Sequence, residues 1–329
     1  MTISMPNLPV PTTSQQLTAE WLQLALGEAA PSANVTCERI GEGYGLASEV
    51  YRCQRPGHKD VIAKLFRIEG IVTDREIQFH RTFGAQVGIR TPRCLYSQKD
   101  KETGHAVMLF TPVDNCTQGD LLKGATQKGW TSIASQLAQF HSKWRQSSEL
   151  VNTWLPELPL QRSDEWFDER REKVLARFGD RLKPHAKDVL DNARTLYRSA
   201  TTHLQTASQT LLHADLHLDN VLFDNLTEEA TILDWARASR GPGVLDVAAV
   251  LLGIDEQLHR SNFLSSYMNS SKVPPNPREF GEQLQSASTV VFVTNTMGIA
   301  NWFPEDPRST AIRDHALDAA QRLGQTLMN

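Results

Sequence analysis

Short stretches of alternating or continuous apolar residues fill the first third of the chain and predict β-strands. The clearest is VIAKLF at 61–66, which is apolar on both faces except for Lys64. A helix-start signal predicts one helix over 73–83 among these strands. Together the patterns indicate a small antiparallel sheet. The expected strands span 35–39, 50–53, 61–66, a segment near 91–96, and 106–113, which Pro112 should end.

Helical spacing of apolar residues dominates elsewhere. Ahead of the strands, residues 14–26 predict a short helix that Gly27 ends. In the remainder of the chain, apolar positions recur every three or four residues, as through 166–205 and 281–325. The exception is 211–235, where VLFD and TILDW flank a polar turn and predict a hairpin. A strand-rich first third therefore precedes a helical remainder.

The length of the chain, 329 residues, exceeds what one ordinary core organises and suits two lobes. We therefore expect an α+β protein. Its N-terminal lobe, residues 1–112, would hold a leading arm, a helix and the antiparallel sheet. A larger, mainly helical lobe would follow in residues 113–329, after a hinge near 110–115.

The charge of the chain disfavours one class of partner. Lys and Arg number 34 against 38 Asp and Glu, a formal net charge of -4, and no Lys/Arg run stands out. Such a chain has no basic excess with which to neutralise the phosphates of a nucleic acid. We expect no nucleic-acid partner.

Cysteines and apolar runs bear on the cellular compartment. The four cysteines lie without CxxC spacing, so neither a zinc knuckle nor a disulfide framework is indicated, and reduced, mostly buried thiols are expected. The first residues lack the basic start and apolar core of a signal peptide. The longest apolar run, VVFV at 290–293, is too short to span a bilayer. These features predict a cytoplasmic protein with no membrane partner.

The most informative stretch is HADLHLDNVLFD at 213–224, followed by ILDW. Asp215, Asn220 and Asp234 each lie beside a strand-like run, and the expected hairpin would return Asp234 to the side of Asn220. Carboxylate and amide oxygens are suitable ligands for a magnesium ion that bridges nucleotide phosphates. Asp215 lies five residues before Asn220, which is the spacing of kinase catalytic loops, and could accept the proton of a substrate hydroxyl.

The motif HADLHLDN followed by LDW closely resembles the aminoglycoside phosphotransferase and choline kinase-like superfamily, whose pattern is HxDxxxxN and then Asp with Trp or Phe. Candidates for the superfamily's glycine-rich hairpin, strand lysine, helix glutamate and hinge occur here in the same order. The resemblance therefore spans roughly residues 35–250. It implies the bilobal protein-kinase-like fold, with ATP in the cleft between the lobes.

The resemblance also implies a role for each matched residue. Asp215 would be the catalytic base, and Asn220 and Asp234 would be the magnesium ligands. Lys64 would bind the α and β phosphates of ATP, Glu76 would orient Lys64, and a turn with Gly41, Gly43 and Gly45 would cover the phosphates. The adenine would contact the backbone of Met108, Leu109, Phe110 and Thr111. In addition, His213 would brace the catalytic loop, Asp246 would anchor the segment after Asp234, and His217 would border the substrate or metal site.

The function implied by the resemblance is ATP- and magnesium-dependent phosphorylation of a hydroxyl group on a small molecule. The chain lacks the Ala-Pro-Glu signature of a protein-kinase activation segment, which disfavours a protein substrate. The acceptor stays open among aminoglycosides, macrolides, choline, sugars, amines and steroid-like alcohols. GPGVLD at 241–246 resembles the ecdysteroid-kinase-like branch, which implies a lipophilic or bulky alcohol. Ala214 replaces a glycine that is frequent in the family.

Several of these residues also have a purely structural interpretation. Asp and Asn favour turns and caps through local hydrogen bonds. Lys64 could extend along apolar surface, and the glycines could form a simple hairpin connection. Glu76 could form a capping box with Thr73, and Asp246 could be a helix N-cap.

Two alternatives from other classes follow from the same residues. One is a nucleotide-binding pseudokinase that regulates a partner. The other is a metal-dependent hydrolase that uses His213 and His217 with nearby aspartates. A pseudokinase typically lacks the base, a metal ligand or the strand lysine, whereas candidates for all three are present here. The sequence does not specify an oligomeric state.

Overall fold

The computed structural model describes residues 8–29, 34–41, 48–66, 71–151, 154–272, 274, 276–301 and 306–328. The chain forms two compact units. The first unit contains Met1–Thr117, Asp224–Leu226 and Thr231–Arg237, and the second contains Gln118–Phe223, Thr227–Ala230 and Ala238–Asn329. The domains expected from the sequence, 1–112 and 113–329, stay a prediction.

The first unit is built on a five-stranded antiparallel sheet with the strand order β1-β2-β3-β5-β4. Lys64 lies opposite Val50 on one neighbouring strand and opposite Met108 on the other. The strand predicted at 61–66 is confirmed, and the other four form within a few residues of their expected positions. Their bounds are β1 Thr36–Ile40, β2 Ser48–Gln54, β3 Val61–Phe66, β4 Cys94–Lys99 and β5 Ala106–Phe110.

The fifth strand ends earlier than the sequence predicts. The expected strand reached residue 113, but β5 ends at Phe110. Thr111 N donates one further hydrogen bond, to Arg93 O at 3.0 Å. Pro112 follows and has no backbone N–H to continue the ladder. Pro112 therefore limits the strand, as the sequence predicts, but the strand ends two residues before the proline.

The leading helix begins later than expected. Residues 14–26 divide into a 3-10 turn at Ser14–Gln16 and helix α1 at Ala19–Leu26. Thr18 starts α1, because its hydroxyl accepts a hydrogen bond from Trp21 N at 3.2 Å. Gly27 ends the helix in a left-handed conformation with φ +65°, which confirms the predicted stop. The helix buries Trp21, Leu22 and Ala25 against the sheet.

The second helix, α2, runs from Ile71 to Thr82. Thr73 and Glu76 both lie inside it, so the capping-box interpretation of Glu76 is wrong. The carboxylate of Glu76 instead accepts hydrogen bonds from Lys64 on β3. In this helix Glu76, Ile77 and Phe79 are buried.

The second unit is mainly helical, as the sequence predicts. In it α3 packs on α7, and both α5 and α6 pack on α8. The helix bounds are α3 Gln127–Trp144, α4 Asp164–Phe178, α5 Pro184–Leu204, α6 Val244–Leu252, α7 Gln257–Ser270, α8 Pro277–Gly298 and α9 Pro307–Met328. Among the described residues, no helix is long and apolar enough to cross a bilayer.

Five further strands form two small sheets. A two-stranded antiparallel sheet pairs β7 with β10, and a three-stranded sheet has the order β6-β8-β9. The neighbouring strands β8 and β9 confirm the hairpin predicted within 211–235, although β9 ends at Ile232, before Asp234. Together with the helices, these sheets confirm the predicted α+β class. The bounds are β6 Cys116–Gln118, β7 Gln209–Leu212, β8 Val221–Asp224, β9 Ala230–Ile232 and β10 Ser239–Pro242.

Packing of α1 on the sheet predicts opposite outcomes for two leucines of that helix. The side chain of Leu22 is fully buried, whereas Leu24 is 52% exposed. We expect Leu22→Ala to lower the free energy of unfolding by about 2–5 kcal/mol, because it removes buried methyl groups and leaves a cavity. Leu24→Ala, the matched control, should change it by less than about 0.5 kcal/mol. Urea unfolding followed by circular dichroism measures both, and equal effects would contradict the packing.

Candidate active site

In the first unit, Lys64 forms an ion pair with Glu76. Lys64 lies on β3 and Glu76 on α2. The Lys64 Nζ atom is 2.9 Å from Oε1 and 2.8 Å from Oε2 of Glu76, so the ammonium donates to both carboxylate oxygens. The Glu76 side chain is almost completely buried, and a carboxylate in that position requires a charged partner. The pair therefore fixes the Lys64 side chain in one position.

Asp234 joins this pair from a distant part of the sequence. Its Oδ2 atom lies 3.4 Å from Lys64 Nζ, and its side chain is partly exposed. The backbone of Asp234 is left-handed, with φ +58°, and its Oδ1 atom accepts a hydrogen bond from Ala236 N at 3.3 Å. Two carboxylates, one buried and one accessible, thus share one ammonium group.

The neighbouring tryptophan holds Asp234 in place. The Trp235 ring stacks on Phe79 with centroids 4.3 Å apart and an interplanar angle of 7°, and its Nε1 donates to Thr91 Oγ1 at 3.0 Å. Phe79 lies three residues after Glu76 on α2, so both side chains project from the same side of the helix. One face of α2 therefore carries both Glu76, which pairs with Lys64, and Phe79, which packs on the tryptophan beside Asp234.

The local charges shift the pKa values of this group. Burial lowers the pKa of Lys64, but the carboxylates of Asp234 and Glu76 raise it further, so that it lies above its ordinary value. Burial raises the pKa of Glu76 to about 7, against the opposing effect of Lys64. Burial and the nearby Lys64 lower the pKa of His80, on the same helix, to about 3. Lys64 therefore stays charged at neutral pH while His80 stays neutral.

In the second unit, Asp246 holds the start of the HADLHLDN segment. Its Oδ2 atom accepts a hydrogen bond from His213 N and its Oδ1 atom accepts one from Ala214 N, both at 2.8 Å. The N-cap interpretation of Asp246 is wrong, because Gly243 is the N-cap of α6 and Asp246 lies within the first turn. The Asp246 carboxylate thus contacts the backbone of residues 213–214, directly before Asp215. The expected anchoring of the segment after Asp234 by Asp246 stays a prediction.

A buried histidine and tyrosine complete the surroundings of Asp246. His141 Nε2 lies 3.3 Å from Asp246 Oδ2, and His141 Nδ1 lies 2.9 Å from the Tyr267 hydroxyl. With its proton on Nε2, His141 donates to Asp246 and accepts from Tyr267. Burial raises the pKa of Asp246, but the hydrogen bond from His141, electrostatic interactions with His141 and His213 and the backbone donor at His213 lower it below its ordinary value. The carboxylate is thus kept ionised in the interior.

Asn220 closes the loop that carries Asp215. Its Nδ2 atom donates to Asp215 O at 3.0 Å and lies 3.2 Å from His217 Nε2. Asp215 N donates to His213 Nδ1 at 3.3 Å. The amide nitrogen of Asn220 is therefore engaged inside the loop, and its Oδ1 atom is the hard oxygen that a magnesium ion would use.

Asp219, between these residues, ties the same loop to the rest of the unit. Its Oδ1 atom accepts from Leu121 N at 2.8 Å, and its Oδ2 atom lies 2.9 Å from Arg308 on α9. Arg308 also contacts Asp120 Oδ1 at 3.3 Å. Asp246 therefore holds the start of the loop, and Leu121 and Arg308 hold Asp219 near its end.

The remaining predicted site residues lie in the first unit. Gly41 has a left-handed backbone with φ +68°, which glycine adopts without strain, and Gly43 and Gly45 lie outside the described residues. Met108, Leu109 and Phe110 belong to β5, which pairs with β3 on one side and β4 on the other. Contact of the 108–111 backbone with an adenine stays a prediction.

Sequence reasoning missed several residues of these arrangements. It assigned no role to His141, Phe79, His80, Tyr267 or Arg308. The only signal for such residues was their type, a polar or aromatic side chain at a core position of a helix. Their partners lie far away in the sequence, as His141 and Asp246 do at a separation of 105 residues. In the described residues, no group of three or more His, Cys, Asp or Glu side chains is arranged to hold a metal ion.

Comparison with known proteins agrees with the motif. A family model described as the phosphotransferase enzyme family matches residues 36–275. Among solved structures, a microcompartment-associated aminopropanol kinase is similar with a TM-score of 0.66 and 14% identity, covering 94% of this chain and 97% of that one. The choline kinase LicA from Streptococcus pneumoniae is similar with a TM-score of 0.56 and 13% identity, covering 88% and 95%. A search of curated proteins found no match.

A third structure extends this similarity to an antibiotic-modifying enzyme. A spectinomycin phosphotransferase in complex with ADP and its antibiotic has a TM-score of 0.54 and 16% identity, covering 94% of this chain and 98% of that one. At such low identity these likenesses bear on the fold, and they confirm the expected kinase-like fold. The narrower resemblance to the ecdysteroid-kinase-like branch stays a prediction.

Burial of Glu76 predicts a pH-dependent contribution to stability. The folded protein binds the Glu76 proton more tightly than the unfolded chain, because its pKa is raised from 4.5 to about 7. This contribution to the free energy of unfolding is full below pH 4.5 and is lost as the pH rises through about 7. Urea unfolding should therefore show the stability of the wild type, relative to Glu76→Gln, falling between about pH 5 and about pH 8.

The exposed carboxylate of Asp74 provides the control for this titration. Asp74 lies on the same helix with its side chain 51% exposed and pairs with Lys99. Asp74→Asn should keep the pH dependence of the wild type. If Glu76→Gln also kept it, the raised pKa of Glu76 would be contradicted.

The left-handed backbone of Ala214 predicts that glycine is preferred there. Ala214 has φ +61°, where a Cβ atom is strained. We expect Ala214→Gly to raise the free energy of unfolding by about 1 kcal/mol, since relief of strain exceeds the greater entropy of unfolded glycine. Ala193→Gly, in the middle of α5, should lower it by about 1 kcal/mol or more. Denaturant unfolding checks both signs, and a loss of stability on Ala214→Gly would show that no strain is stored.

Proposed function

The chain belongs to the phosphotransferase enzyme family, and we propose that it transfers the terminal phosphate of ATP, with magnesium, to a hydroxyl group of a small molecule. The observation that carries the proposal is the Lys64 ammonium, held by buried Glu76 and by accessible Asp234. A fixed cation beside a partly exposed carboxylate suits a nucleotide triphosphate with its metal ion. Phosphoryl transfer relies mainly on such positioning and charge neutralisation.

Lys64 would bind the α and β phosphates of ATP. Its raised pKa keeps the ammonium charged, which anionic phosphates require. Glu76 acts as its positioning residue, because it contacts Lys64 with both carboxylate oxygens from the interior of α2. Gly41, Gly43 and Gly45 are the proposed cover of the phosphates, and residues 108–111 the proposed contact of the adenine.

Asn220 and Asp234 are the proposed magnesium ligands. Each fits the ion by its own surroundings: the Asn220 amide nitrogen is engaged inside its loop, and the Asp234 carboxylate is partly exposed. Both supply the hard oxygen atoms that magnesium prefers. When bound, the ion would neutralise negative charge on the phosphates.

Asp215 is the proposed catalytic base. It would accept the proton of the acceptor hydroxyl while that oxygen forms a bond to the terminal phosphorus and the bond from this phosphorus to ADP breaks. The backbone around Asp215 is held through His213, Ala214 and Asn220. His217, which contacts Asn220, is proposed to border the substrate.

The acceptor is proposed to be a small alcohol that carries amino groups or a larger hydroxyl-bearing compound. The structural relatives are named for aminopropanol, choline and spectinomycin. We therefore propose a test panel that begins with amino alcohols, choline and aminoglycosides and continues with sugars, macrolides and steroid-like alcohols. The pseudokinase alternative is not supported, since the family is one of enzymes and the base, metal ligands and strand lysine all have candidates.

Acceptor-dependent ATP consumption with magnesium tests the proposal. We expect one class of acceptor to stimulate ADP formation, and Asp215→Ala to lower the stimulated rate by about 100-fold or more, because general-base catalysis is lost. Binding of ATP, measured by calorimetry, should persist in that variant. Asp191→Asn, which alters an exposed carboxylate on α5, is the control and should keep the wild-type rate.

Other outcomes separate the alternatives. Full turnover in Asp215→Ala would refute the assignment of the base. Nucleotide binding that is equal in both proteins, without turnover on any acceptor of the panel, would favour the pseudokinase. Absence of nucleotide binding would overturn the proposal.

A further inference from the structure

Two cysteines face each other across the first two strands of the sheet. Cys37 on β1 and Cys53 on β2 are direct partners in the antiparallel register. Their Sγ atoms lie 2.8 Å apart. Facing residues in an antiparallel pair have Cβ atoms about 4.5–5.5 Å apart, close to the roughly 3.5–4.5 Å of a disulfide. Only a small approach of the two side chains separates them from covalent contact.

The two thiols differ in access to solvent. Cys53 is fully buried in the core between the sheet and α1, whereas Cys37 is only partly buried and lies on the strand at one end of the sheet. A small oxidant in water can therefore reach Cys37 first. The hydrogen bond between the two thiols lowers the pKa of Cys37 against the effect of burial, while the same bond raises the pKa of Cys53. The thiolate, which is the reactive form, is thus favoured on the accessible partner.

We propose that Cys37 and Cys53 are a redox pair, which a peroxide converts into a reversible intramolecular disulfide. This site is independent of the proposed phosphotransferase reaction. It also goes beyond the expectation from the sequence, which predicted reduced thiols without a disulfide framework. The register of β1 and β2 makes Cys37 and Cys53 direct neighbours, which the spacing of cysteines along the sequence did not indicate.

The reaction balances with a peroxide as the oxidant. The Cys37 thiolate attacks one oxygen of hydrogen peroxide, the O–O bond breaks, and the hydroxide that leaves takes up a proton to become water. Cys37 is then a sulfenic acid. The Cys53 sulfur attacks the Cys37 sulfur, an S–S bond forms, and the hydroxyl group leaves with the Cys53 proton as a second water. Two thiols have lost two electrons, and one peroxide has become two waters.

The other two cysteines differ from this pair in their contacts. Cys94 Sγ donates to Tyr96 O at 3.3 Å, and Cys116 Sγ donates to Val113 O at 3.0 Å. Burial raises the pKa of both thiols, which disfavours their reactive forms. Cys116 is therefore a suitable control for the specificity of oxidation.

Peptide mapping of the oxidised full chain tests the proposal. The reduced protein is treated with hydrogen peroxide under native conditions, alkylated in denaturant without reductant, digested and analysed by mass spectrometry. We expect two of the four thiols to be lost, a peptide pair linked through Cys37 and Cys53, and recovery of both thiols with dithiothreitol. Cys116→Ser should still form the link, and Cys37→Ser should abolish it.

The wild-type map decides the result even if a variant fails to fold. Four alkylated thiols after peroxide treatment would overturn the proposal. A disulfide between two chains, a link that involves Cys94 or Cys116, or irreversible oxidation of Cys37 to a sulfinic acid without a link to Cys53 would overturn it as well. A link that forms in Cys37→Ser would show that another thiol is the partner of Cys53.

Discussion

The need to compensate buried carboxylates is the constraint on which both groups of candidate site residues depend, the group around Lys64 and the group around Asp215. An ionised carboxyl group in the interior must have a cation or several hydrogen-bond donors, or it binds a proton instead. Lys64 supplies the cation for Glu76, although burial still raises the pKa of Glu76 to about 7, and Asp246 has two backbone donors and His141. Lys64 and the segment that leads to Asp215 are thereby fixed by interactions that the interior itself demands. The contacts that compensate the buried carboxylates are therefore the same contacts that position the proposed reactive groups.

Much of this could be predicted from the sequence, because the signals are local. Short stretches of alternating or continuous apolar residues predicted the five strands of the first sheet, and Gly27 predicted the end of α1. The HADLHLDN motif identified a family that a family model then matched over residues 36–275. Lys64 and Glu76 were placed by their order relative to that motif, and the structure shows them in contact. Errors of extent arose where one side chain decided the boundary, as Thr18 does in α1.

Interactions between distant segments could not be predicted in this way. Phe79 and Trp235 are separated by more than 150 positions, and although Trp235 belongs to the LDW motif, nothing in the sequence indicates that its ring stacks on Phe79. The Asp246 carboxylate looked like a cap because aspartate is common there, but its partners lie 32 and 33 positions earlier. The GPGVLD segment at 241–246 is a further case in which a distant contact explains the residues present. A Cβ atom at Gly243 would lie 3.0 Å from His141 Nδ1, so the absence of a side chain there reflects close packing on that ring.

The position of β1 at one end of the sheet has a consequence for the behaviour of the protein in concentrated solution. A strand at an edge offers backbone donors and acceptors to strands of other chains, which is a route to aggregation. Here β1 carries Glu38 and Arg39, both exposed, and Arg39 contacts Glu49 on β2 at 3.4 Å. Charged side chains on a short edge strand oppose the approach of a second chain. The exposed charges of β1 therefore protect the colloidal stability of the protein, while Cys37 on the same strand packs against the core.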